Sequence, residues 1–306
     1  MPPASNASSA VFDVHEWGLV DVQSGTAASL VTGPPSGRTN WNAPRRKPVL
    51  YFHLADGTNA VDATVTVTTP RLGFVEVFPK GELSSDSRTL TWRGLHVRKE
   101  GCHVVGAPRR DAPECRTTDG LCEAAELPTY ETADASCIDM AGASFNHLFY
   151  RANGSPPELP FEVVAKGSQL SITHVRARDT VGPIFYVHND GGSVRISTIA
   201  TPAIGGSVLA DPPKDTDVAS AQGALDSAMK EVGLTEAEVA AFDRAWSNDL
   251  FGKAGSREAP ARRGAPAPSD DLLFVLPASL VSGASTVTIT PPPRALRRFM
   301  LVRLRV

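Results

Sequence analysis

The 306-residue sequence lacks most of the features that would classify it at once. It has no run of about 18 apolar residues, so no segment reads as a membrane-spanning helix. It has little excess charge: 30 Lys and Arg stand against 33 Asp and Glu, a formal net charge of -3. That balance provides no global attraction to nucleic acid, and the basic pairs Arg109-Arg110 and Arg297-Arg298 have no interleaved aromatics with which to stack bases. No Gly-x-Ser-x-Gly nucleophile elbow is present. Gly191-Gly192 and Gly205-Gly206 are turn signals, since neither precedes a Walker lysine or a Gly-x-Gly-x-x-Gly pattern. Asp179, Asp190 and Asp249 are too scattered to form an acid/base pair. Met1–Ala10 has neither the charged nor the apolar region of a signal peptide, and it reads as the flexible stretch that follows a removed export signal.

Cysteine is scarce but concentrated. The chain has four, Cys102, Cys115, Cys122 and Cys137, all in one loop-like segment rich in Asp, Pro, Gly and Thr. An even number in a segment with little core of its own suits two disulfides, with all three pairings open. A zinc site involving His103 is the rival, but no Cys-x-x-Cys pair is present. Disulfides imply an oxidising compartment, hence an extracellular, periplasmic or cell-envelope protein.

Apolar residues make up 42% of the chain, ample for a core. Short β signals dominate. Val61, Ala63, Val65 and Val67 alternate with Thr64, Thr66 and Thr68, the period of a half-buried strand. Further runs are Pro48–Leu54, Gly73–Phe78, Thr89–Val97, Phe145–Arg151, Leu170–Arg176, Ile184–His188, Ser193–Ile199, Leu272–Leu276, Ser285–Thr290 and Phe299–Val306. Breaks of Gly, Pro and Asp between them predict antiparallel sandwich or barrel-like units. One segment, 217–251, changes to helical period. Val218, Ala221, Leu225, Met229 and Val232 form one stripe, and Gly233 ends that helix. Thr235-x-x-Glu238 is a capping box opening a second helix, whose stripe is Val239, Phe242, Trp246 and Leu250.

The expected organisation is therefore mainly β, with one helical hairpin and a disulfide-stapled loop. A flexible segment 1–10 precedes a first β unit, 11–155, carrying the cysteine-rich insertion 102–137. A second unit, 156–306, carries the helical hairpin 217–251 and a Pro/Ala/Arg-rich mobile loop 252–270.

Chemistry concentrates at His15-Glu16-Trp17-Gly18. A zincin would need a second His four residues after the first, on a helix, but that position is Leu19 and the flanks read as strand. In a strand, adjacent side chains point to opposite faces, so His15 and Glu16 cannot share one ion without a bulge. Both are candidate catalytic residues only if their partners come from distant strands. The bland alternative is that Trp17 anchors the core while His15 or Glu16 makes a structural hydrogen bond. Other histidines, among them His53, His147 and His188, lie beside aromatics in predicted strands. If Leu170–Arg176 and Ile184–Asp190 pair as a hairpin, His174 and His188 become cross-strand neighbours. With His15 or Asp190 they would then form a site for a divalent metal ion.

Val14-His15-Glu16-Trp17-Gly18, the strand Pro48–Phe52, the Trp246 helix, Leu273–Pro277 and Val287–Pro292 form an ordered series. It resembles a family of predicted exported bacterial proteins, from myxobacteria and planctomycetes among others, marked by a near-N-terminal His-Glu-Trp-Gly-Thr-Phe-Thr motif. This chain departs after Gly18, reading Leu19-Val20-Asp21. The resemblance implies exported β architecture and transfers no catalytic residue. Two functional readings follow from the sequence. One is an exported binding or structural module with a protein or small-molecule partner and no nucleic acid. The other is a metal-dependent, hydrolase-like enzyme built on His15, Glu16 and strand histidines.

Overall fold

Alternating apolar residues make strands that bury one face or both, and here the strands assemble into one large sheet flanked on each side. The computed structural model describes residues 11–23, 48–99, 102, 128–176, 181–190, 193–251 and 269–306. In chain order the strands of the first half are β1 (Phe12–Gln23), β2 (Val49–Leu54), β3 (Ala60–Thr68), β4 (Leu72–Phe78), β5 (Glu82–Leu83), β6 (Thr89–Arg98), β7 (Cys137–Met140), β8 (Ala143–Phe145) and β9 (Leu148–Gly154). There follow β10 (Phe161–Lys166), β11 (Gln169–His174), β12 (Ile184–Asn189), β13 (Val194–Ile199), β14 (Ser207–Ala210), α1 (Val218–Val232), α2 (Glu236–Phe251), β15 (Ser269–Val275), α3 (Ala278–Ala284), β16 (Thr286–Thr290) and β17 (Leu296–Arg305).

The protein is mainly β, as its alternation predicts. The large sheet has the order β13-β12-β15-β17-β1-β2-β9-β4. Its pairs are antiparallel except β1 with β17, which run parallel, Trp17 opposite Phe299. A six-stranded sheet, mainly β16-β3-β6-β7-β8, and a three-stranded sheet, β10-β11-β14, are the other sheets among the described residues. Strands from before and after residue 155 thus share the large sheet, and they also share the six-stranded sheet, where β16 pairs with β3.

Three apolar clusters explain the layering. On one face of the large sheet, Trp17, Tyr51, Phe149, Leu273 and Phe299 pack against Leu225 and Met229 of α1 and Phe242 and Trp246 of α2. On the opposite face, Val14, Leu50, Phe52 and Leu148 meet Val65, Val67 and Trp92 of the six-stranded sheet. Farther along that face, Leu272, Phe274, Val302 and Leu304 meet Phe161, Val163 and Ile172 of the three-stranded sheet. The result is two sandwiches side by side on one continuous sheet, with a helical hairpin across its back. Side chains of this size, fully buried, each contribute about 1.5–3 kcal/mol, so all three clusters are substantial.

The helical hairpin follows its sequence signals closely. Asp217 caps α1 by accepting the Ser220 N–H, and Gly233 closes it in the left-handed region at φ 96°. The capping box of α2 is formed: Glu238 N–H donates to Thr235 Oγ1 at 3.2 Å and Thr235 N–H to Glu238 Oε2 at 2.7 Å. Cys102 and Cys137 are joined in a disulfide that ties the cysteine-bearing insertion to the start of β7. Cys115, Cys122 and His103 lie outside the described residues, as do the segment 1–10 and all but the last two positions of the loop 252–270.

Candidate functional site

The four residues His15 to Gly18 project alternately to the two faces of the large sheet, and each face treats its pair differently. Trp17 faces the helices, fully buried, with its ring edge-on to Phe242 at 5.4 Å and Tyr130 at 5.9 Å. His15 points to the same side. Tyr51 of β2 is its register partner, and His53, two residues along β2, shares that face. The first turn of α2 is laid over both histidines, and it presents Glu238.

His15 Nδ1 lies 2.9 Å from Glu238 Oε2 and 3.1 Å from Oε1, and His53 Nε2 lies 2.9 Å from Oε1. The two imidazoles are 4.4 Å apart, centroid to centroid. Glu238 is fully buried, His15 nearly so, and the His53 side chain retains 16% of its exposure, so the cluster reaches solvent through His53. Burial works to raise the Glu238 carboxyl, but hydrogen bonds from His15 and His53 outweigh it and hold the group down at about 2. Burial likewise disfavours the charged form of His53, yet the Glu238 hydrogen bond and charge, aided by Asp134, leave its pKa raised.

One ligand atom from each of His15, His53 and Glu238 can be chosen so that all three lie within 4.8 Å of one another. Tetrahedral bonds of about 2.1 Å place ligand atoms about 3.4 Å apart. The 2.9 Å separations therefore need to open by a few tenths of an ångström, well within side-chain adjustment. Two imidazoles and one carboxylate suit zinc, iron, manganese or copper, and leave coordination positions for water or substrate. Glu238 is oriented by the Thr235 N–H, the kind of outer-shell contact that fixes a ligating carboxylate.

Glu16 turns to the other face and is also fully buried. It accepts hydrogen bonds from Tyr150 Oη at 2.8 Å and from Arg298 Nε. Arg298 continues to Ser285, donating to its carbonyl at 2.8 Å and its Oγ at 2.7 Å. Glu16 thus makes a structural ion pair and is no partner of His15. Gly18 faces the same way, where a Cβ would approach Met300 Sδ at 3.0 Å and Pro48 at 3.2 Å. The glycine permits this close packing rather than a bulge.

The remaining metal candidates do not join the cluster. His174 lies on β11, which among the described residues pairs only with β10 and β14, whereas His188 lies on β12 between β13 and β15. The expected hairpin between these two segments does not form, so the histidines are not cross-strand neighbours. His174 Nδ1 lies 2.8 Å from the Pro202 carbonyl, where only its N–H form bonds. His188 Nδ1 pairs with Asp270 at 2.7 Å, and Asp190 accepts from the Ser193 N–H and hydroxyl in its own turn. Ser227 and Lys230 have Ser-x-x-Lys spacing on α1, but Ser227 donates to the Gly223 carbonyl and Lys230 to Glu236.

His53 and Glu238 are the site residues that sequence reasoning did not assemble. Each carried a signal of a different kind: His53 as a histidine in a predicted strand, Glu238 as a helix cap. Nothing in their spacing from His15 connects them.

No family model matches the chain, and no curated protein matches it. Among solved structures, the Mu homology domain of Fcho1 from Danio rerio with bound Eps15 peptide aligns over 96% of each chain at 9% identity and a TM-score of 0.37. A likeness at that level carries no argument about function.

Proposed function

We propose that this chain is an exported β protein whose working centre is a divalent metal ion held by His15, His53 and Glu238. The observation that carries the reading is the convergence of three ligand-type side chains from β1, β2 and α2 at a point His53 opens to solvent. Three protein ligands leave positions free, the pattern of catalytic rather than structural centres. A metal so held polarises a carbonyl or acidifies a bound water, so hydrolase-like chemistry is the reading that fits. Export is supported by the Cys102–Cys137 disulfide, which persists in oxidising compartments.

Elemental analysis of protein purified without chelator tests the centre, followed by zinc and manganese titration of the stripped protein. Near-stoichiometric metal that is lost in His53→Ala and Glu238→Gln supports it. Metal-free protein that binds neither ion sinks it.

The second reading, an exported binding or structural module, gains support from the same atoms. His15 and His53 already bond to Glu238, and Glu238 already completes a helix cap, so the cluster also serves as a clamp between helix and sheet. Under that reading, His15→Ala lowers stability and no metal is involved.

A further inference from the structure

The two sandwiches meet at a seam on the face of the large sheet opposite the helices, and a cavity of about 50 Å³ lies in that seam. One water needs about 10–15 Å³ by the same kind of measure, so there is room for about four water-sized groups. Leu72, Ala152, Pro157 and Met300 supply apolar wall, while Tyr150, Ser285 and Thr69 are the polar residues of the lining, the Thr69 hydroxyl being donated to the Leu72 carbonyl at 2.6 Å. We propose that this seam cavity binds a small neutral molecule: a compact apolar body carrying one hydroxyl or carbonyl, seated against Tyr150 and Ser285.

The polar atoms decide the head group. Tyr150 donates its only O–H to Glu16 and its oxygen also accepts from Arg298, which leaves one lone pair available. Ser285 Oγ accepts from Arg298 and keeps its own O–H as a donor. The two hydroxyl oxygens are 3.5 Å apart, beyond the 2.5–3.0 Å of an effective O–H···O bond. A ligand hydroxyl bridging them satisfies both, accepting from Ser285 and donating to Tyr150; a carbonyl satisfies Ser285 alone. Beneath them Glu16 and Arg298 cancel one another in charge, so no net field awaits an anionic or cationic head. The cavity is a binding site rather than a second reaction centre. Burial, then the Glu16 charge, push the Tyr150 hydroxyl far above its ordinary range, so it stays a neutral phenol and takes no proton from Ser285.

The test is an NMR titration of the amides of Ala152, Ser285 and Met300 with three probes of one shape: 1-butanol, butyrate and n-butylammonium. Expected are saturable shifts with 1-butanol in the millimolar range, at least about tenfold weaker binding of both charged probes, and loss of the 1-butanol response in Ala152→Leu, which fills the cavity. Ser285→Ala weakens 1-butanol severalfold; because that change also touches Arg298, the wild-type probe series decides if the variant misfolds. No saturable shift at these amides up to the solubility of 1-butanol overturns the proposal. So does equal affinity for all three probes, or an unchanged response in Ala152→Leu.

Discussion

His15 Nδ1 stands 2.9 Å from Glu238 Oε2, a contact across 223 positions of sequence that pins the start of α2 to the first strand of the large sheet. Glu238 serves this contact and the helix cap with one carboxylate. Thr235→Ala, which removes the Oγ1 acceptor of the capping box, should lower the unfolding free energy by about 1 kcal/mol. The Thr235 backbone N–H that orients the Glu238 carboxylate is retained in this variant. If the metal reading holds, metal binding should therefore weaken by less than the roughly tenfold that follows loss of an outer-shell partner. Thr235→Ser should leave both unchanged. Urea denaturation and competitive chelator titration measure the two effects separately.

The Glu16–Arg298 pair is buried and carries opposite charges, so removing one partner strands the other. Glu16→Gln should destabilise the protein by about 3–5 kcal/mol, whereas replacing both by apolar residues of similar volume should cost less than the single change. Denaturant melts of the single and double variants decide. Equal losses in both would show that the ionic pair is not the reason.

Gly18 sits where a Cβ would press on Met300 Sδ at 3.0 Å and Pro48 at 3.2 Å. Gly18→Ala should therefore cost about 1–3 kcal/mol through overpacking. Gly18→Ala combined with Met300→Leu, which removes the sulfur atom in contact, should recover part of that loss. Thermal melting of both variants gives the answer.

His147 is buried beside Tyr51 and Tyr130, and neither ring nitrogen has a hydrogen-bond partner among the described residues. Burial alone lowers its pKa to about 3. The unfolded chain, with a histidine near 6.5, binds the proton throughout the window between these values, so acid favours unfolding there. Stability is complete above about pH 6.5 and falls as pH drops, by on the order of 3 kcal/mol by pH 4. His147→Phe should flatten this dependence and leave stability at pH 7 unchanged or higher, because a buried group without a partner is removed. Urea midpoints at pH 7, 5.5 and 4 test both halves.

The Cys102–Cys137 disulfide closes a separation of 35 residues, which corresponds to about 4 kcal/mol in the chain-entropy account. The double replacement Cys102→Ala/Cys137→Ala should lose stability on that scale. Intact mass with thiol labelling, before and after reduction, checks that the bond is present.

Strand content was legible because alternation is local: Val61 to Val67 reads as a half-buried strand, and β3 is one. The capping box at Thr235 and Glu238 and the terminator at Gly233 were equally readable, since each is a contact between residues close in sequence. The opposite facing of His15 and Glu16 followed from strand geometry alone. Register between distant strands was not readable. Leu170–Arg176 and Ile184–Asp190 looked like partners because they are neighbours in sequence, but β11 instead joins β14 by the pairing of Ile172 with Val208, and β12 joins β15 by that of Tyr186 with Leu272.

By itself, then, the sequence determined that His15 and Glu16 part company, that Trp17 belongs to a core, and that Glu238 caps a helix. Only the tertiary structure decided that His15 meets His53 and Glu238, that Glu16 meets Arg298, and that Gly18 faces Met300 and Pro48. The physical reason is range. Side-chain alternation and helix capping are fixed by backbone geometry over a few residues. The meeting of β1, β2 and α2 depends on how three apolar clusters pack at once, and no spacing in the sequence records that.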